Sequence, residues 1–208
     1  MDRFIAHHLQ GVSRTYAILV PMLPRRLAEP VGLAYLLMRV VDTLEDCTTL
    51  TDDERLARFD ALRTLLADHA APVPPVLAAP LGDTPAELDL MRELPGLLDR
   101  LRALPPAHRD AIYDCAREMM DGVIQMMDRA RQRGLPYPAV CDAAELRMYC
   151  YYVAGVVGVM LNRMMADYLR MPALLQLRDL SIELGIGLQL VNVLKDALTD
   201  AHHGRRSL

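Results

Sequence analysis

Apolar residues recur at three- and four-residue spacing along almost the whole of this 208-residue chain, and no alternating segment with turn chemistry interrupts them. That period suits helices and leaves no candidate for a sheet, so the expected fold class is all-α. Punctuation residues divide the pattern. Pro30 marks the first turn of a helix continuing to about Cys47. Thr51 with Glu54 forms a capping box for the next helix, to about His69. Five prolines between residues 70 and 86 break the period and mark an internal linker. Thr84, Pro85 and Glu87 then combine a cap, an N1 proline and an acidic third residue, opening a helix that ends before Pro105. Another helix runs from about Ala107 to Arg133 and stops at Gly134. Asp142 with Glu145 opens a long apolar helix to about Leu169, and Pro172 begins the last. The expectation is one domain over residues 1–208, with roughly six or seven helices around a central apolar cavity.

Composition narrows the classes of function. Hydrophobic residues make up 52% and charged residues 24%, which fits a packed globule. A net charge of −4 without a Lys/Arg run argues against nucleic-acid binding, so an anionic ligand must be met by local arginine or by metal. The four cysteines, Cys47, Cys115, Cys141 and Cys150, have neither CxxC nor metal-site spacing and read as reduced thiols. Residues 1–10 lack the pattern of a signal peptide. The longest apolar run, residues 148–161, is shorter than the ~20 residues of a bilayer span and reads as a buried core helix. Thirteen Met against two Phe and no Trp give deformable apolar walls, suited to a flexible hydrocarbon as well as to ordinary core filling.

Two acidic clusters carry the chemistry. Asp42, Glu45 and Asp46 fall on one helical face, and so do Asn192, Asp196 and Asp200. Each cluster follows an apolar stretch. Carboxylates at the edge of an apolar helix repel one another and resist desolvation unless a cation lies between them. Oxygen ligands without His or Cys suit Mg²⁺, which keeps waters and bridges to a substrate phosphate. A metal-bridged diphosphate site is the expected centre. Plainer readings exist for single residues: Arg39 lies three before Asp42 and fits an intrahelical ion pair, Ser13 fits a helix cap, and Tyr149, Tyr151 and Tyr152 fit a core edge. Ala154, Gly155 and Gly158 leave room for either a hydrocarbon chain or a neighbouring helix. His202-His203 beside Asp200 reads as a solvated pair.

Several segments together resemble the squalene/phytoene synthase family, its squalene synthase branch in particular. Ser13-Arg14-Thr15-Tyr16 is similar to that family's N-terminal Ser-Arg element, and LMRVVDTLED (residues 37–46) to its first aspartate-rich motif. YCYYVAGVVG (residues 149–158) resembles the catalytic tyrosine segment, with Tyr151 where squalene synthases typically carry His. LQLVNVLKDALTD (residues 188–200) and Gly204-Arg205 resemble the second motif and its Gly-Arg sequel. The resemblance implies an isoprenoid synthase fold and head-to-head joining of two farnesyl diphosphates to presqualene diphosphate, then reduction by NADPH to squalene. It implies metal binding by Asp42, Glu45, Asp46, Asn192, Asp196 and Asp200. Substrate contacts would come from Ser13, Arg14, Arg39, Gln189, Asn192, Lys195 and Arg205. Tyr149 would assist proton removal or steady a cation, with Asp42, Asp46, Asp196 and Asp200 as the other catalytic residues. It implies prenyl diphosphate partners; the reduced thiols and the residue 1–10 pattern set the expectation of a cytoplasmic protein, and an apolar product leaves peripheral membrane contact open.

Departures from the family pattern concern the second step. Lys195 stands where the family commonly has Arg, keeping the charge but losing the bidentate fork. The proline-rich residues 70–86 do not resemble the loop associated with the NADPH half-reaction. The chain is expected to lack the family's C-terminal part, which leaves a flank of the last helix uncovered. Presqualene diphosphate, dehydrosqualene or phytoene are therefore alternative products, and a non-catalytic assembly protein is the alternative from another class. A carboxylate-bridged di-iron bundle is excluded because no Glu-x-x-His pair occurs. Cyclisation of a single prenyl diphosphate shares the metal logic but not these motifs.

Overall fold

The computed structural model describes residues 2–68, 71–79, 81–135, 137 and 139–202, with side chains described as far as residue 195. Among these residues every regular element is helical. The chain forms two compact units, Met1–Ala116 and Arg117–Leu208.

In the first unit, α1 (Arg3–Val12), α6 (Pro85–Arg92), α7 (Leu94–Ala103) and α4 (Asp52–Ala67) all pack on α3 (Arg25–Asp46). Leu33, Ala34, Leu36, Leu37, Val40, Val41 and Leu44 of α3 are entirely buried. A helix apolar round most of its circumference must be central, and this one is. It begins earlier than its proline suggests: Pro24 is the N-cap, and Pro30 lies inside the helix, buried in its second turn. Only one backbone bond, from residue 30 to residue 26, is forfeited there, a cost that burial of the whole helix outweighs.

The Thr51 and Thr84 capping boxes form as the sequence predicts. Between them, α5 (Pro75–Ala78) is a single turn within the proline-rich segment, anchored by the fully buried Leu77. The helix expected to run from Thr84 towards Pro105 is instead broken at Glu93 (φ −89°, ψ 9°). Pro95 explains the break, because its ring has no N–H to donate and clashes with the carbonyl four residues earlier. Short elements α2 (Tyr16–Leu19) and a 3₁₀ turn (Val20–Met22) link α1 to α3. The long α8 (Pro106–Gln132) starts in the first unit and ends in the second. Gly134, at φ +67°, supplies the left-handed stop.

In the second unit, Asp142 caps α9 (Ala143–Cys150) through the Glu145 N–H. Helical backbone then continues through a π turn (Tyr151–Gly155) into α10 (Val156–Leu169), which ends on Arg170 in the left-handed conformation. The π turn carries an extra residue, which period-reading of sequence does not reveal. This 27-residue run, Ala143–Leu169, is long and apolar enough to cross a bilayer, longer than the apolar core of the segment alone indicates. Only 28% of its most apolar window is buried, so it is less enclosed than a core helix. Pro172 opens a 3₁₀ segment (Pro172–Leu177), and the last helix, α11, starts at Arg178 and reaches His202.

The small residues of YCYYVAGVVG serve helix packing. A Cβ on Gly158 would lie 2.1 Å from the Ser181 carbonyl oxygen, and one on Gly185 would lie 2.3 Å from that of Ala154. The π turn, α10 and α11 therefore meet backbone to backbone. The opposite flank of α11 is bare: Leu180, Leu184, Leu188, Val191 and Leu194 are each about 60% exposed or more, in one stripe at helical spacing.

Gly158→Ala should destabilise the protein by about 1–3 kcal/mol, because the obstructing atom is backbone and cannot turn aside. Chemical denaturation of Gly158→Ala beside Gly187→Ala, where an added Cβ meets nothing within 4 Å, checks this. Equal stability of the two would contradict the close approach.

A second prediction concerns acid. Glu145 is buried and takes hydrogen bonds from both Arg133 Nη1 (2.9 Å) and Nη2 (2.5 Å) and from the Cys141 N–H (2.9 Å). The Arg133 bond first, then that backbone donor, pull its pKa down to about 2. A depressed carboxylate contributes stability above its unfolded pKa and loses it as pH falls from about 4.5 towards 2. Glu145→Gln should therefore be less stable at neutral pH and show a flatter stability profile across that window, measured by urea unfolding at stepped pH.

Candidate active site

The sequence places its first acidic cluster on the last turn and a half of α3, and the structure shows what surrounds it. Tyr35, Arg39, Asp42 and Asp46 follow one another at spacings of four, three and four, making a polar stripe along the C-terminal half of a helix whose other residues there are buried. Glu45 does not join them, since its side chain is buried at 6% exposure. Asp42 keeps 36% of its side-chain surface, and Asp46 is exposed.

Arg39 is shared. Its Nη2 donates to Glu87 Oε1, and its Nη1 lies 3.8 Å from Asp42 Oδ2. Its Nε is buried without a hydrogen-bond partner, so the guanidinium is not saturated. Glu87 is committed on its other oxygen to the N–H groups of Asp83 and Thr84, each at 3.0 Å. The capping box of α6 thus doubles as a clamp on the arginine of α3.

Desolvation raises the Asp42 carboxyl from its ordinary range to about 7, helped by the negative charges of Asp46 and Glu87 and opposed by Arg39. Partial desolvation likewise raises Asp46, although its side chain still reaches solvent, with Arg39 and Arg55 opposing and Glu87 and Asp83 reinforcing. Two carboxyls whose charged forms desolvation disfavours, all donors being oxygen, fit a hard cation such as Mg²⁺.

Three residues escaped sequence reasoning. Tyr35 lies four before Arg39, a spacing that could have flagged it; its ring meets Tyr16 at 4.5 Å, and its hydroxyl shares a hydrogen bond with Ser13. Glu87 looked like a cap alone. Arg55, 7% exposed, donates to the carbonyls of Leu44 (3.1 Å) and Cys47 (3.2 Å) and to Asp52 (2.9 Å). It closes the C-terminal end of α3, where a cation also suits the helix dipole. Its only sequence signal was a charged residue within the first turn of α4.

Ser13 is half-buried at the C-cap of α1, and its Oγ accepts the Tyr16 N–H at 3.1 Å as well as meeting Tyr35. Arg14 beside it is exposed.

The second cluster lies in the other unit. Asn192, Asp196 and Asp200 share the backbone of α11 at four-residue spacing. Gln189 is half-buried and takes a 3.4 Å hydrogen bond from exposed Asn192, while Lys195 is exposed. The side chains of Asp196 and Asp200 lie outside the described residues, as does Arg205 altogether.

Tyr149 is half-buried at the end of α9. Tyr151, on the π turn, donates its hydroxyl to Glu118, and burial followed by that carboxylate raises its pKa to about 12. Tyr152 donates to Gln125 at 3.1 Å, and its ring covers Gly122 so closely that a Cβ there would lie 2.0 Å from Tyr152 Cγ. The extra residue of the π turn thus gives consecutive tyrosines separate partners on α8, with rings edge to face at 5.2 Å.

Comparisons with known proteins agree on kinship. Squalene synthase LSS of Botryococcus braunii is 30% identical over 95% of this chain, which covers 39% of that relative's length. Squalene synthase of Schizosaccharomyces pombe is 30% identical over 95% of this chain and 42% of its own length. Presqualene diphosphate synthase of B. braunii is 25% identical over 98% of this chain and 46% of its own. The chain thus spans less than half the length of these relatives. Its fold matches that of TcSQS bound to the ligand BPH1237, with a TM-score of 0.81 at 24% identity, covering 95% of this chain and 54% of that one. The complex of TcSQS with E5700 gives 0.83 at 23% identity. The architecture is therefore the all-α isoprenoid synthase fold. The Squalene/phytoene synthase profile matches residues 9–208, and the chain belongs to that family.

Proposed function

We propose that this chain carries the diphosphate-handling part of a Mg²⁺-dependent prenyl transferase that joins two farnesyl diphosphates head to head, giving presqualene diphosphate and then, with NADPH, squalene. The observation that carries the reading is the Tyr35–Arg39–Asp42–Asp46 stripe. It sets an incompletely bonded guanidinium beside two carboxyls on a helix that the rest of its unit exists to bury. Family membership supplies the reaction class.

In this reading Asp42 and Asp46, with Glu45 behind them, would be the metal-holding residues of α3, and Asn192, Asp196 and Asp200 would be those of α11. Bound there, Mg²⁺ would offset the charge that builds on a leaving diphosphate. Arg39 binds phosphate oxygens and stays charged throughout, while Glu87 fixes the direction of its fork. Arg14, exposed beside Ser13, would supply a second phosphate contact on the family pattern, as would Gln189, Lys195 and Arg205 of the second unit. Tyr149 steadies a cationic intermediate or passes on its proton, and Tyr151 and Tyr152 present ring faces that do not trap a carbocation. A hydrocarbon product must leave into lipid, and the bare apolar stripe of α11 and the long apolar run Ala143–Leu169 suit peripheral membrane contact.

A second reading ends at presqualene diphosphate. The relative bearing that activity in its name favours it, together with a residue 70–86 segment unlike the loop linked to reduction.

Incubation of the chain with radiolabelled farnesyl diphosphate and Mg²⁺, with and without NADPH, separates the readings. Squalene only with NADPH supports the two-step reaction, and presqualene diphosphate under both conditions supports the shorter one. No turnover of either farnesyl or geranylgeranyl diphosphate overturns both. Asp42→Asn should lower kcat/KM by about 10²-fold or more, the scale on which one preorganised electrostatic group acts, with unchanged far-ultraviolet circular dichroism. Glu87→Gln should raise KM more than it lowers kcat, because it loosens Arg39 without removing it.

A further inference from the structure

Two histidines of α1 converge on one carboxylate of α6, on residues that the acidic stripe does not use. His7 Nε2 lies 3.0 Å from Asp89 Oδ2, and His8 Nδ1 lies 3.6 Å from the same oxygen. All three potential ligand atoms fall within 4.8 Å of one another. We propose that His7, His8 and Asp89 form a binding site for a divalent transition metal, Zn²⁺ in the first instance, independent of any Mg²⁺ at the carboxylate stripe.

The distances that make a His–Asp ion pair here also suit coordination. One His7–Asp89 hydrogen bond would explain the 3.0 Å contact, but 3.6 Å is too long for a second. Both values bracket the ~3.3 Å edge of a tetrahedron whose metal–ligand bonds are about 2.0–2.2 Å. Two imidazoles and one carboxylate suit zinc and its neighbours rather than Mg²⁺ or Ca²⁺, which take oxygen.

The site is also held in place. His8 is buried at 4% exposure, with its ring edge to face against Phe4 at 4.5 Å, and Arg100 stacks 4.0 Å over Phe4. His7 is 71% exposed, so its ring can turn to close the third edge. α1 and α6 approach closely because Gly11 faces Ala86: a Cβ on the glycine would lie 3.1 Å from the alanine's. A cavity of about 380 Å³ opens beside the three residues, bordered by Gly11, Pro85, Ala86 and Arg92, with room for water or an anionic fourth ligand. A metal here would fasten α1, which leads into Ser13 and Arg14, to α6, whose Glu87 holds Arg39.

Titration of the metal-free chain with Zn²⁺ by calorimetry, repeated with Co²⁺ to read its visible absorption, tests the site. One equivalent should bind, the Co²⁺ spectrum should show the intense bands of four-coordination, and Tm should rise with Zn²⁺. His7→Ala and Asp89→Asn should each weaken binding at least about tenfold and abolish the Tm rise. His7 is exposed enough that its replacement leaves the fold intact, as circular dichroism would verify. A paired His202→Ala, His203→Ala variant should bind as the parent does. Absence of binding, binding equal in the His7 and Asp89 variants, or binding lost only with the tail histidines would each overturn the proposal.

Discussion

A carboxylate pair on a helix that must otherwise be buried is the constraint around which the first unit is arranged. The apolar residues of α3 need neighbours on nearly every side, and α1, α4, α6 and α7 supply them. Asp42 and Asp46 cannot follow those residues inward, because removing charge from water costs more than packing returns. The stripe therefore stays at the edge of the packing, and its electrostatics are met piecemeal. Arg39 offsets Asp42 within the helix, Glu87 holds Arg39 from α6, and Arg55 closes the helix end below Asp46. None of these fully offsets the loss of water around the pair, and the raised carboxyls record that desolvation first, with neighbouring carboxylates adding to it.

This arrangement gives the α6 capping box a second meaning. A glutamate three residues into a helix ordinarily returns to its own N-cap, a local contribution of about 1 kcal/mol. Glu87 does this with one oxygen and reaches α3 with the other. Local helix initiation and the direction of the candidate phosphate-binding arginine therefore rest on one side chain.

Helix type and most boundaries could be read from sequence because they depend on local chemistry. Both Thr caps, the Gly134 stop and the Asp142 cap are interactions over three or four residues. Errors arose where a proline outweighed or yielded to tertiary packing: Pro30 was absorbed into α3, while Pro95 split a helix that apolar period alone would continue. The acidic stripe was legible from spacing, yet Glu45 is buried although it shares that spacing with Asp42. Three residues of helix turn through roughly 300°, so residues at i and i+3 can part at the boundary of a wide apolar face. Glu87 and Arg55 could not be seen as members of the site, because their roles depend on helix contacts across 48 and 11 residues of chain.

The tyrosine segment shows the same division more sharply. Its small residues suited two purposes on sequence grounds, and backbone packing with α11 occupies Gly158 and Ala154. That contact leaves no space on this face of α10 for a hydrocarbon chain. Any apolar ligand must instead be met by the longer side chains. The π turn is what makes this compatible: by inserting one residue it rotates Tyr151 and Tyr152 towards Glu118 and Gln125 of α8 while Gly155 and Gly158 keep their register on α11. A regular α-helix would have to give up one of these alignments, so the local irregularity is the consequence of two faces of one helix being specified at once.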